Sequence, residues 1–123
     1  MARIVFFLAA VFSSLFAQAV DVSPISATFR AGNVAPLVTL MDQEVDIAIP
    51  GATKKCNADE AVALLNSFLR SNKPSDFTTL HNADKKDNGF LVAKLLTSQG
   101  EFRVNITYRI GNEKIIIQSV RIE

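Results

Sequence analysis

The stretch EFRVNITYRIGNEKIIIQSVRIE, residues 101–123, decides the fold. Apolar side chains fall on every second residue at Phe102, Val104, Ile106, Tyr108 and Ile110. That period places them on one face of a β-strand. Gly111-Asn112 reads as a two-residue hairpin turn of the primed type, and Glu113 to Ile122 as the returning strand. With Ile110 opposite Glu113, Tyr108 faces Ile115 and Ile106 faces Ile117. Phe102, Val104, Ile106 and Tyr108 then share a covered face with Ile115 and Ile117. Arg103, opposite Val120, and Asn105, opposite Gln118, lie on the other face with Thr107, Ile116 and Ile122. Arg121 falls at the far end of the covered face, level with Phe102. A bulge or a one-residue slip exchanges the faces of everything beyond it.

The same reading extends toward the N-terminus. Phe90 to Thr97 is a strand with an almost continuous apolar run, joined to the next by Ser98-Gln99-Gly100. Phe77 to Asn82 is a strand before the charged turn Asp84–Gly89. Upstream, Asn57 caps a helix whose N3 residue is Glu60, an arrangement close to a capping box. Ala61, Leu64, Leu65, Phe68 and Leu69 follow helical spacing, so this helix lays one apolar stripe on the sheet. Glu44 to Ile49 is a further strand, with Val45, Ile47 and Ile49 inward, ended by Pro50-Gly51. Ser23-Pro24 opens a short helix carrying Ile25 and Phe29, and Gly32 closes it. Asn33 then caps a second short helix with Leu37, Leu40 and Met41 inward. The fold class is α+β: N-terminal helices packed on an antiparallel sheet.

The 123 residues suffice for one domain. Met1-Ala2-Arg3, the apolar run Ile4–Phe12 and the small-x-small triplet Ala17-Gln18-Ala19 form the pattern of a secretory signal peptide. The expectation is therefore a signal peptide over residues 1–19 and a mature domain over 20–123, beginning at Val20 and exported to the periplasm or beyond the cell. The apolar stretch is short for a membrane span, which takes roughly 20 residues, and no cysteine follows the cleavage site to take a lipid. Of 13 Lys and Arg residues only Arg3 precedes Asp21, so the mature part carries 12 basic against 12 acidic residues. No basic stripe stands out, which argues against nucleic acid and against an electrostatic membrane anchor. The single cysteine, Cys56, excludes an internal disulfide and a cysteine zinc site. No phosphate loop, metal-ligand spacing or nucleophile elbow is present, so neither a metal nor a cofactor is expected.

Several stretches together resemble a small exported family of Bacteroidetes, domain of unknown function 4783, within the nuclear transport factor 2-like superfamily. They are Phe29-Arg30-Ala31-Gly32-Asn33, Val45 to Pro50 and the helix after Asn57. Phe77 with His81, Leu96 to Gly100 running into Phe102-Arg103-Val104, and Ile117 to Glu123 complete the set. The resemblance implies the cone-shaped α+β fold, its antiparallel sheet curved around the helices, often with an internal pocket and often a homodimer. It implies no activity, because fold and function separate in this superfamily.

His81, the sole histidine, is a possible pocket acid or base, with Asp42, Asp46 or Asp84 as conceivable partners. Its plainer reading is a strand-end side chain bonded to backbone or water. Arg103, Asn105 and Gln118 form the most coherent polar group, able to clamp an anionic ligand through the guanidinium or to belong to a dimer interface. Arg121 can reach a pocket mouth or pair with a carboxylate. Tyr108 can donate to a ligand or simply extend the core. Cys56 reads as a small packing residue, and Asn105-Ile106-Thr107 as a chance glycosylation triplet. The expected function is a non-catalytic module binding a small ligand or a protein partner; the alternative is a small lyase or isomerase built on His81.

Overall fold

The structure, a computed structural model, describes residues 20–123, so the signal-peptide assignment to residues 1–19 lies outside it. Helix α1 (Ser23–Ala31) and a 3-10 helix (Ala35–Leu40) lead into strand β1 (Met41–Ile49) and strand β2 (Ala52–Cys56). Helix α2 (Ala58–Ser71) follows, then β3 (Pro74–Asp84), β4 (Asn88–Thr97), β5 (Gly100–Gly111) and β6 (Lys114–Ile122). The six strands make one sheet in the order β2-β1-β6-β5-β4-β3. All neighbours are antiparallel except β1 and β6, which run parallel, so the sheet is mixed.

Local chemistry sets the helices. Asn57 Oδ1 accepts the Glu60 backbone N–H at 2.9 Å, satisfying one of the donors a helix start leaves free. Gly32, at φ +76°, turns the chain out of α1 in the left-handed region. Ser23 is the first residue of α1 and not its cap; its N–H is accepted by Asp21 at 2.9 Å. Asn33 Oδ1 accepts the Ala35 N–H at 2.9 Å and an Asn66 amide at 3.0 Å, while Asn66 Oδ1 accepts the Val34 N–H at 2.8 Å. These bonds tie the 3-10 helix to α2.

The helices cover one face of the sheet. Ala61, Leu65, Phe68 and Leu69 are buried, and Phe68 meets Phe102 edge-on with centroids 5.1 Å apart. Phe29 stacks on Phe77 at 5.1 Å and fastens α1 to β3. Ile25, Leu37, Val45, Ile47, Leu91, Leu95, Ile106 and Ile117 fill the space between.

The final hairpin differs from its sequence reading by a two-residue shift and a bulge. Asn112 and Glu113 form the turn, both at positive φ (52° and 64°), and Gly111 pairs with Lys114. A shift by two keeps faces, so Tyr108, now opposite Ile117, stays inward. A bulge follows: Thr107 faces Ser119, Ile106 faces Val120 and Val104 faces Ile122. Beyond it Val120 and Ile122 are buried in the core, where the unbulged register had placed them outside. Arg121 is correspondingly turned to the outer face, opposite Asn105 and exposed.

Candidate functional site

Among the described residues the interior is filled with side chains; the buried Thr28 hydroxyl is satisfied within α1 by the Pro24 and Ile25 carbonyls, and a second buried hydroxyl lies at the β3–β4 end. Tyr108 is completely buried, which means its hydroxyl needs partners. It donates to Asp84 and accepts from Asn82 Nδ2 at 2.9 Å; the same Asn82 amide also bonds the Phe90 carbonyl at 2.9 Å. Burial, reinforced by the Asp84 bond, pushes the phenol up to about 12. Gly89 makes the arrangement possible, since a Cβ there would stand 2.8 Å from Asp84 Oδ1 and 2.8 Å from the Tyr108 ring. Tyr108 is thus a core side chain whose hydroxyl is already engaged.

His81 does not reach any of its expected partners. It lies exposed on the outer face, tilted against Phe90 with ring centroids 5.3 Å apart. Asp42 instead receives Arg109 Nε at 3.1 Å, which with the Gln43 backbone bond holds its carboxyl below the ordinary range. Asp46 lies 3.9 Å from Lys55 Nζ and Asp84 serves Tyr108. The internal acid–base pair of the lyase or isomerase reading is therefore not assembled. Cys56 is buried with Sγ 3.8 Å from the Val45 carbonyl, and burial raises its pKa, which suits packing and not nucleophilic attack. Among the described residues no group of three His, Cys, Asp or Glu side chains is placed to hold a metal ion.

The outer face gathers the other candidates. Cross-strand pairing sets His81, Val92, Asn105, Arg121, Ala48 and Thr53 in one row across all six strands. The next row is Ala83, Phe90, Thr107, Ser119, Asp46 and Lys55, with the Thr107 and Ser119 hydroxyls bonded to each other. Arg103 stands opposite Lys94, and its backbone pairs with Glu123 through bonds of 2.7 and 3.0 Å. Gln118 projects from the bulge beside Ser119, exposed. Arg103, Asn105 and Gln118 do share a face, as their spacing predicts, but their partners across the ladder differ. Arg121 joins them instead of reaching a pocket mouth on the covered side.

Charge on this face is mixed. Lys55 lies 3.6 Å from Glu44, and Arg121 lies 4.0 Å from Glu123. Lys54, opposite inward-facing Ile47, points the other way and bonds Glu60 on α2. Arg103 has no carboxylate partner among the described residues. Half-buried Phe90, Val92 and Ile116 interrupt the polar rows, and Leu80, 52% exposed, is the large apolar residue most open to solvent among the described residues. An open cleft of ≈ 530 Å³ runs over Asp46, Ala48, Thr53, Lys55, Ser119 and Arg121, and a smaller one of ≈ 230 Å³ borders Leu80, Lys94 and Arg103.

The sequence reading missed β2, and with it Thr53 and Lys55, because Ala52–Cys56 is short and lacks an apolar period. It also missed the bulge, for which a signal existed. After Ile115 and Ile117, the adjacent polar pair Gln118-Ser119 shifts the apolar alternation to Val120 and Ile122.

Helices on one side of a bent six-stranded sheet, with one parallel pair, β1 and β6, define a nuclear transport factor 2-like fold. A nuclear transport factor 2-type protein with five substitutions superposes at a TM-score of 0.67, 14% identical over 83% of this chain and 92% of its own. The family model described as "Domain of unknown function (DUF4783)" matches residues 22–123, and the chain belongs to that family. A family member from Bacteroides ovatus is similar at 25% identity and a TM-score of 0.77, covering 85% of this chain and 94% of that one. Another, from Bacteroides fragilis, is 29% identical with a TM-score of 0.75, over 85% and 97% of the two chains. No curated protein matches the chain.

Proposed function

We propose that this protein is an exported, non-catalytic binding module that receives its partner on the outer sheet face, a second copy of the same chain first of all. One observation carries the reading: the side chains able to bind lie together outside, while the volume under the helices is taken up by core residues. A surface on which Phe90, Val92, Leu80 and Ile116 alternate with Arg103, Asn105, Gln118 and Arg121 has the mixed composition of a non-obligate interface. Residues of both signs also let such a face meet its own two-fold copy, as isologous dimers require.

Export is part of the proposal. The family match begins at residue 22 and α1 at Ser23, immediately after the expected cleavage at Ala19. The exposed position of His81 removes the main support for the lyase or isomerase alternative.

Sedimentation velocity on the chain starting at Val20 tests the partner assignment. The native chain is expected to sediment as a dimer at micromolar concentration. Val92→Glu places a carboxylate on this face, between His81 and Asn105, and is expected to give a monomer with an unchanged far-ultraviolet circular dichroism spectrum. A native monomer at every concentration, or a Val92→Glu dimer, would remove the second copy from this surface.

A further inference from the structure

Asp84 has two oxygens and two distinct clients. Oδ1 accepts the buried Tyr108 hydroxyl, and Oδ2 accepts the backbone nitrogen of Val20 at 3.2 Å. Val20 is 64 residues away in sequence, and its side chain is partly buried against the core beside Val22. The start of the described chain is therefore held twice, by apolar packing and by a carboxylate. That carboxylate is itself positioned. Tyr108 is fixed by complete burial, Asn82 bonds its hydroxyl, and the absence of a Cβ at Gly89 leaves Asp84 Oδ1 its room.

The identity of the nitrogen is what matters. Inside an uncleaved chain, Val20 N is a neutral amide with one hydrogen to donate. Signal-peptide cleavage adds water across the Ala19–Val20 peptide bond: the Ala19 carbonyl becomes a carboxylate on the released peptide, and Val20 N becomes an α-ammonium. The same atom then donates from a positive charge to a carboxylate within hydrogen-bond reach, a contact roughly twice as strong as its neutral counterpart.

From this we infer that Asp84, with Asn82 and Tyr108 behind it, is a receptor for the protein's own processed N-terminus, so that export processing strengthens the fold at the β3–β4 end. The inference rests on cleavage after Ala19. It assigns Asp84 a reason to be acidic that hairpin formation alone does not supply. It also accounts for the placing of a buried tyrosine hydroxyl against a surface carboxylate: the phenol holds one oxygen in place and leaves the other facing Val20.

The test is a four-way thermal comparison. A chain beginning at Val20, which contains every described element, is compared with one that keeps Ala19 ahead of it, each with Asp84 and with Asp84→Asn. Retaining Ala19 moves the charge one residue away and is expected to lower the melting temperature by about 2–5 °C with Asp84 present, given what an exposed charged pair contributes in a domain of this size. With Asp84→Asn the two chains are expected to melt together. Acetylation confined to the Val20 amine, with mass spectrometry confirming unmodified lysines, provides a second arm without any mutation and with the same expected drop. Equal melting of the two Asp84 chains, or an equal drop in the Asp84→Asn pair, would overturn the receptor. N-terminal sequencing of the exported protein separates the two layers: a start other than Val20 overturns the cleavage reading and the processed-terminus role with it. A Val20 start with no Asp84-dependent difference overturns the receptor alone.

Discussion

The two faces of β5 differ sharply although they alternate residue by residue. Inward, Val104, Ile106 and Tyr108 have no exposed surface at all. Outward, Arg103, Asn105, Thr107 and Arg109 meet solvent and one another's neighbours. The inner face gains its stability from apolar area removed from water, and it satisfies its one deeply buried hydroxyl. The outer face, whose residues are half-buried or exposed, removes less apolar area from water and so constrains side-chain chemistry less. The proposed partner site accordingly lies where folding constrains the side chains least, on the outside of the sheet.

The largest effects should come from breaking the inner face. Phe68→Ala removes the ring that joins α2 to Phe102 and should cost about 3–5 kcal/mol in denaturant unfolding. Tyr108→Phe keeps the volume but leaves Asp84 and Asn82 without the hydroxyl, and should cost about 1–2 kcal/mol by the same measurement. That variant also sharpens a pH effect. The phenol titrates near 10 when unfolded and about 12 when folded, so the stability tied to its protonated form is full below pH 10 and is lost as pH rises through about 12. Alkaline unfolding followed by circular dichroism should show a loss in this window that Tyr108→Phe diminishes.

On the outer face, Arg103→Ala should change stability by no more than about 0.5 kcal/mol while weakening self-association several-fold in sedimentation experiments. A small gain in stability is expected at a position that belongs to neither face. Glu113 holds φ 64° in the hairpin turn, a conformation costing a non-glycine residue about 1 kcal/mol or more. Glu113→Gly should therefore stabilise by about 0.5–1 kcal/mol, read from the denaturation midpoint, with association unaffected.

Much of the inner face was legible in the sequence because its signals are local. The Asn57–Glu60 cap, the stripe from Ala61 to Leu69, and the alternation of Phe102 to Tyr108 each announce an element and its buried side. The outer face was legible only in part. Arg103, Asn105 and Gln118 share a side because their spacing within the strands says so, but which residues they meet depends on register. Ile115-Ile116-Ile117 gives no parity on its own, so the turn position and the bulge decide, and the bulge turned Arg121 outward. The parallel pairing of β1 with β6, which brings Asp46 and Ala48 beside Ser119 and Arg121, joins segments about seventy residues apart. No local pattern encodes such a contact. The proximity of Val20 to Asp84 is of the same long-range kind.

Cysteine cross-linking addresses most directly the assignment of partner binding to the outside of the sheet. Asn105→Cys puts a thiol in the central row, and Ala27→Cys puts one on the solvent side of α1; Cys56 is buried in both. With a short bis-maleimide, Asn105→Cys should yield a covalent dimer in high proportion and Ala27→Cys only monomer. A dimer from Ala27→Cys with none from Asn105→Cys would place the interface on the helices and contradict the account.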